Sequence, residues 1–298
     1  MPENPTPARI AIALAVGIVA ISFAGVLIRG VGVAGVPFLA VAFYRMAFAT
    51  ALLGAAALAT RATMPTRREA GLVLLSGLCL AAHFGLWTMS FEYIPVARAV
   101  LVVDSQTIFV VALSALVLGE RPSGRVLSGV GLAVAGILVV SAGSFGAASS
   151  GTVRGDLLAL GGAVTVAGYI LAGRAARARL GLLGYVVPVY GVATVALLVW
   201  CLAAGVPLTG FPPRAWGGFV LLAVVPTVFG HTVFNWLLGH VRADTVAVAI
   251  LAEPVGAAAL AYLFFGEVPS ASTLAGAPLV LAGLALASTS GRRHTVES

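Results

Sequence analysis

The tightest constraint on the fold of this chain is that its halves repeat. Gly119-Glu120-Arg121-Pro122-Ser123 returns as Gly266-Glu267-Val268-Pro269-Ser270, an offset of 147 residues. The register holds downstream, where Leu127, Gly129, Leu132, Ala135, Gly136 and Ser141 meet Leu274, Gly276, Leu279, Ala282, Gly283 and Ser288. Around this repeat the chain is a succession of apolar stretches. About 20 mostly apolar residues cross a bilayer as a helix. Ten segments qualify: 10–28, 37–59, 70–90, 97–118, 126–142, 156–173, 184–204, 217–238, 245–265 and 272–289. The Gly/Ser-rich stretch Ser141 to Gly151 falls between the fifth and sixth. Each half thus holds an odd number of spans, so the second half enters the membrane with the opposite orientation. The expected fold is an all-α membrane protein of ten transmembrane helices, a 5+5 inverted-topology repeat, the plan of many secondary transporters. The expected boundaries are 1–142 for the first five-helix repeat, 143–154 for the linker, 155–291 for the second repeat and 292–298 for a tail.

Composition agrees with a membrane solvent. Only 9% of the 298 residues are charged, 60% are hydrophobic, and the mean hydropathy is +1.09, whereas a soluble domain carries roughly 25% charged residues. The net charge of +7 therefore implies no nucleic acid, because basic residues gather at the cytoplasmic ends of membrane helices. With the N-terminus inside, Arg9, Arg61, Arg67, Arg68, Arg121, Arg125, Arg174, Arg177, Arg179, Arg242, Arg292 and Arg293 lie at inner ends, and only Arg29, Arg98, Arg154 and Arg214 at outer ends. Twelve against four predicts that both termini are cytoplasmic, and the expected location is the plasma (inner) membrane, as a multi-pass protein. The run from Ile10 to Ile28 is too long for a signal-peptide core and reads as the first span. Cys79 and Cys201 sit in separate apolar runs and read as buried thiols rather than a disulfide or metal pair. The 36 glycines predict close helix contacts. Pro188, Pro226, Pro254 and Pro278 fall inside spans, which predicts a more bent second half.

Several local patterns carry a family resemblance. They are His83-Phe84 with Trp87, and Val96-Ala97 ahead of Leu118-Gly119-Glu120. The second half adds Gly230-His231-Thr232 with Phe234-Asn235-Trp236, then Leu251-Ala252-Glu253-Pro254-Val255-Gly256 and Phe265-Gly266-Glu267. On these the chain resembles the drug/metabolite transporter superfamily, and within it the ten-span EamA-type transporters, over nearly its whole length. The counterpart of Glu253-Pro254 in the first half is Gln106-Thr107, and Thr107 stands where many relatives carry proline. The resemblance implies transport of small metabolites, frequently export of amino acids and related compounds, and leaves the solute open.

Ionisable residues at membrane depth are costly and each needs an account. Arg45, His83 and Asp104 lie seven or eight residues from the outer ends of spans 2, 3 and 4, a depth of roughly 10–12 Å at about 1.5 Å per residue. Either Arg45 and Asp104 form a structural ion pair, or Arg45 meets a solute carboxylate and Asp104 carries a proton. His231 and Glu253 form an inverted counterpart near the inner ends of spans 8 and 9. Tyr190-Gly191 on span 7 aligns with Tyr44-Arg45 at offset 146. His83 and Trp87, like His231 and Asn235, are four residues apart and share a helix face. Tyr44, Arg45, His83, Trp87, Asp104, Tyr190, His231, Asn235 and Trp236 are the candidate substrate-binding residues, and Glu253, His83 and His231 the candidates for proton coupling. Each has a plainer reading, as a satisfied core histidine, a hydrogen-bonded carboxyl or an interfacial tryptophan; the last suits Trp216. Glu120 and Glu267 sit where Pro and Ser start the next helix and read as partners of a helix dipole.

No phosphate loop, helical zinc motif or nucleophile elbow is present, so no cofactor, metal or catalytic residue is expected. The leading function is a secondary transporter exporting small organic metabolites by alternating access, coupled to protons. The competing class is an intramembrane enzyme acting on a lipid-linked substrate. The split of polar groups into two inverted layers favours transport, since an enzyme gathers acid and base around one reacting atom. The expected partners are a small-molecule substrate and membrane lipids, with the chain a monomer or homodimer.

Overall fold

The computed structural model of the chain describes residues 5–118, 122–145, 150–177, 179–237, 240, 249–250 and 252–288. Helices run through nearly all of it: α1 (Pro7–Val33), α2 (Phe38–Ala59), α3 (Arg67–Ser90), α4 (Val96–Val103), α5 (Gln106–Leu118), α6 (Gly124–Phe145), α7 (Ser150–Arg177), α8 (Leu182–Ala203), α9 (Pro213–Leu222), a π-helical segment (Ala223–Thr232), α10 (Val233–Leu237), α11 (Glu253–Phe265) and α12 (Ala271–Ser288). Among the described residues, seven helices are long and apolar enough to cross a membrane, and three shorter apolar ones, Gly124–Val140, Glu253–Phe265 and Ala271–Ala287, complete the ten spans. The start of the ninth span, 245–248, lies outside the described residues, as do Glu120, Arg242, Arg292, Arg293 and the tail.

Helix ends follow local chemistry. The Thr6 hydroxyl accepts from Arg9 N at 3.3 Å, and Thr66 accepts from Arg68 N at 3.3 Å while Glu69 reaches back to Thr66 N at 2.9 Å. Proline at the first helical turn starts α1 and α9. Two boundaries differ from expectation. α1 continues past Arg29 to Val33, and α6 and α7 run into the Gly/Ser-rich stretch from both sides, to Phe145 and from Ser150. No proline in that stretch ends the first helix before Phe145 or delays the second past Ser150. Pro188 and Pro278 lie inside helices, Pro226 sits in the π-helical segment, and Pro254 falls in the first turn of α11.

Helix pairing reveals the symmetry. Span 3 packs on span 6 and span 1 on span 8; span 1 also packs on span 9 and span 4 on span 6; spans 2 and 7 pair, as do spans 5 and 10. Exchanging the halves turns this set of contacts into itself. At the crossing of spans 5 and 10 the sense of the exchange is visible. Gly129 faces Gly283 and Gly136 faces Gly276, although the sequence repeat aligns Gly129 with Gly276 and Gly136 with Gly283. Equivalent helices therefore run antiparallel, as inversion requires. Spans 2 and 7 keep a register of 144 rather than 146. Both helices hold 22 residues, from Phe38 and from Leu182, and Thr50 and Thr194 meet in a 3.0 Å hydrogen bond.

Exposure is inverted relative to a soluble protein. Leu116 is 81% exposed and Leu263 74%, a surface suited to lipid, while Arg45, His83, Asp104 and Glu253 are all buried.

Candidate functional site

α2 buries Ala42, Arg45, Met46, Ala49 and Leu53, a stripe at helical spacing, and so carries Arg45 into the middle of the bundle with no exposed surface. Its Nε donates to Thr227 Oγ1 at 2.8 Å, and the guanidinium carbon lies 4.1 Å from the centre of the Phe84 ring. Phe84 in turn meets the His231 ring edge-on at 5.5 Å. Among the described residues, Arg45 Nη1 and Nη2 are buried without a hydrogen-bond partner. Arg45 stands within electrostatic range of Glu253 and Tyr190, and both His83 and His231 lie within range of Arg45.

Span 8 shapes this centre through its π-helical segment. Pro226 has no N–H to offer, and the wider turn is built on five-residue spacings: Thr227 Oγ1 donates to Leu222 O at 2.9 Å, and Thr232 Oγ1 to Thr227 O at 3.1 Å. Tyr190 OH pairs with Thr232 Oγ1 at 3.2 Å, so one polar chain joins span 7, span 8 and Arg45. On α3, His83 Nδ1 meets Gly162 O at 3.0 Å; a carbonyl only accepts, so this nitrogen carries the proton. Gly162 leaves room for it, since a Cβ there would sit 3.3 Å from Trp87 Cβ. The Trp87 ring stacks behind His83 at 5.8 Å.

Spans 4 and 9 are each interrupted at the same place in the repeat. Asp104-Ser105 forms a turn between α4 and α5, with Ser105 N donating to Val102 O at 3.2 Å. One repeat later, Ala252 is a turn residue whose N–H donates to Ala249 O at 3.1 Å, and α11 starts at Glu253. The first interruption forms without proline at Thr107. α4 packs against α11, and Asp104 and Glu253 lie within electrostatic range of each other. Asp104 is 4% exposed and its Oδ2 has no hydrogen-bond partner among the described residues.

The structure thus gathers Arg45, His83, Asp104, Tyr190, His231 and Glu253, and corrects two expectations. Of the two alternatives for Arg45 and Asp104, the ion pair is not formed; equal depth fixes one coordinate and leaves the direction around each helix free, and Arg45 turns to Thr227 and Phe84 instead. The two layers are one constellation, because Phe84 bridges Arg45 to His231. Glu267 does not serve the helix that follows it. It accepts from Val96 N at 2.9 Å at the start of α4 and pairs with Arg29 at 3.4 Å, while Ser270 Oγ caps α12 through Thr273 N at 3.2 Å.

Other candidates stand apart. Tyr44 donates to Leu208 O and stacks on Phe219 at 4.6 Å, within an aromatic cluster that includes Phe211 and Trp216. Asn235 Nδ2 donates to Tyr169 OH at 3.0 Å and to His231 O at 2.8 Å, part of a second network with Arg177, whose Nη2 donates to Asn235 O at 3.3 Å. Trp236 meets the His240 ring at a tilt, 4.3 Å between centres, and lines an apolar flank groove of about 420 Å³ with Ile12, Val16 and Phe229. Sequence reading passed over Thr227, Thr232 and Asp156. Asp156 holds Arg98 in a two-point ion pair. The signal was available: Arg29 and Arg98 belong to the end with few arginines, and each has an acid of the other half at a neighbouring span end.

Comparison with known proteins converges on one family. The model of the EamA-like transporter family matches residues 8–142 and again residues 153–289. A protein of Salmonella typhimurium named as a probable amino-acid metabolite efflux pump is 30% identical over 73% of this chain and 77% of its own length. The pseudopaline exporter CntI of Pseudomonas aeruginosa is 31% identical over 75% of this chain and 77% of its own. A solved structure sharing the fold superposes with a TM-score of 0.67 at 23% identity, covering 97% of this chain and 100% of the other.

Proposed function

Because the chain belongs to the EamA-like transporter family, we propose that it exports small amino-acid-like metabolites, with Arg45 as the anchor for the solute's carboxylate. The chain is a transporter rather than an enzyme, and the proposal concerns its solute, direction and coupling. The carrying observation is the Arg45 guanidinium, which is fully buried with Nη1 and Nη2 unpartnered among the described residues. A planar fork of donors in a low-dielectric centre matches a carboxylate in two-point geometry. Relatives named as a probable amino-acid metabolite efflux pump and as a probable terminal-alkyne amino-acid exporter support the choice of solute. His83, Trp87, Tyr190 and His231 surround the same centre, with Tyr44, Asn235 and Trp236 as outlying contacts along the path. Glu253 is the first candidate for proton coupling, followed by His83 and His231.

The two halves of the site come from one chain, so a monomer suffices, and a homodimer would duplicate the site. We place the chain in the plasma (inner) membrane with both termini cytoplasmic, divided into repeats 1–142 and 155–291 by a linker at 143–154. Reporter fusions at residue 298 and in that linker are expected on opposite sides of the membrane; the same side for both would sink the inversion. The solute is tested by counterflow of radiolabelled amino acids in proteoliposomes. Arg45→Gln is expected to lower the rate about tenfold or more, the scale of a lost charged hydrogen bond, with Arg45→Lys intermediate. An unchanged rate in Arg45→Gln would remove the carboxylate assignment.

A further inference from the structure

The charges buried around Arg45 do not balance, and from this we propose that Asp104 and Glu253 form a paired cation subsite, so that the preferred solute is a diamino-monocarboxylate of net charge plus one, exchanged for one proton. The proposal rests on the reading of Arg45 as the carboxylate anchor. Arg45 lies within electrostatic range of Glu253, and Glu253 within range of Asp104, so one guanidinium stands with two carboxyl groups, one from each half of the chain, at residues 9% and 4% exposed. They meet because spans 4 and 9 are both interrupted there, at Ser105 and Ala252, a separation of one repeat. α4 ends with Asp104 as its C-cap, so the negative end of its dipole adds to the attraction for a cation there. Interrupted helices meeting near the midplane are where transporters hold substrates and coupling ions. Among the described residues two unpartnered groups mark the place independently: Asp104 Oδ2 on the acidic side, and Arg45 Nη1 and Nη2 on the basic side.

Net charge at this depth is expensive, so each state that crosses between the two membrane faces is expected to be neutral. Without solute, two carboxylates and one guanidinium reach neutrality with one proton shared by the acids. With solute, the carboxylate neutralises Arg45, and two cationic groups are needed to neutralise Asp104 and Glu253. A zwitterion with one ammonium leaves one carboxylate uncompensated unless the proton stays. A diamino-monocarboxylate displaces the proton, which leaves to the side from which the solute came. Among the described residues no other group nearby supplies the missing charge. Arg45 of α2 stands against Glu253, and His83 of α3, Tyr190 of α8 and His231 of span 8 stand around Arg45. α1 carries no ionisable residue between Arg9 and Arg29, α12 carries none, and Asp156 of α7 is held by Arg98.

The experiment is counterflow and pH-gradient-driven flux in proteoliposomes with three probes of matched length: lysine, norleucine, and the diamine cadaverine. Wild-type protein is expected to favour lysine over norleucine by about tenfold or more, the scale of discrimination from one unpaired buried charge, and to reject cadaverine. One proton should move against each lysine, with no response to an imposed membrane potential. Asp104→Asn and, separately, Glu253→Gln remove one negative charge. Each is expected to switch the preference to norleucine and to abolish proton countermovement, a gain that a merely structural residue would not produce. Wild-type preference for norleucine, potential-dependent lysine flux, or equal loss of all probes in both variants would overturn the paired subsite. If norleucine is carried in an Arg45-dependent manner while lysine is not, the carboxylate assignment stands and this proposal alone falls. If no carboxylate probe is carried, both fall.

Discussion

Arg98 and Asp156 form a two-point ion pair between the start of span 4 and the start of span 6, with Nε to Oδ1 at 2.7 Å and Nη2 to Oδ2 at 2.5 Å. Only 8% and 10% of their side-chain surfaces are exposed. A second pair, Arg29 with Glu267 at 3.4 Å, links the same two halves, and Glu267 also caps α4. Both pairs cross the boundary between repeats, so they hold the halves together at one end of the bundle.

A buried pair stabilises little relative to apolar replacements, but losing one partner leaves an uncompensated charge. Asp156→Ala or Arg98→Ala alone is therefore expected to cost about 3–5 kcal/mol. The apolar double replacement Arg98→Met with Asp156→Leu should cost less than either. Thermal unfolding in detergent reads this directly; a double variant less stable than both single ones would contradict it.

Much of the scaffold was legible because a membrane simplifies the problem: span length and punctuation are each governed by one physical requirement. The repeat at Gly119-Glu120 and Gly266-Glu267 predicted antiparallel equivalence, and the Gly129–Gly283 contact bears that out. The site was only half legible. Counting residues from span ends gives depth, and depth brought Arg45, His83 and Asp104 together. Depth does not give the azimuth of a side chain or the tilt of a helix, so it left the Arg45–Asp104 alternatives open, and Phe84 and Thr227 were missed. The π-helical turn at Pro226 changes which residues of span 8 face inward, and a period of 3.6 residues carries no trace of it.

The ends of spans 2 and 7 show the repeat in a strained form. In each, the residue after the helix cap has positive φ, 51° at Arg61 and 64° at Gly205. The next N–H reaches back five residues, Ala62 to Ala57 and Val206 to Cys201, both at 2.9 Å. Glycine adopts this conformation freely and arginine does not. Gly205→Arg is thus expected to destabilise by about 1–2 kcal/mol, and Arg61→Gly to be neutral or stabilising by up to about 1 kcal/mol. A destabilised Arg61→Gly in detergent unfolding would show that the arginine side chain contributes more than its backbone strain costs.

The crossing of spans 5 and 10 supplies a prediction with an internal control. A Cβ on Gly136 would lie 2.6 Å from Val280 N, one on Gly276 2.6 Å from Gly136 O, and one on Gly129 2.6 Å from Gly283 O. These contacts are backbone against backbone, so no side chain can rotate away, and the helices must separate. Separation forfeits dispersion contacts along the seam, and small-residue seams are a main source of helix association in membranes. Gly136→Ala and Gly276→Ala are each expected to cost about 1–3 kcal/mol, as overpacking does. Gly131 lies on the same helix as Gly136, yet a Cβ there meets nothing within 4 Å. Gly131→Ala should therefore be stabilising by roughly 0.5–1 kcal/mol through helix propensity. Detergent unfolding of the three variants side by side decides the matter: equal effects at Gly131 and Gly136 would mean that the two spans do not meet along this seam.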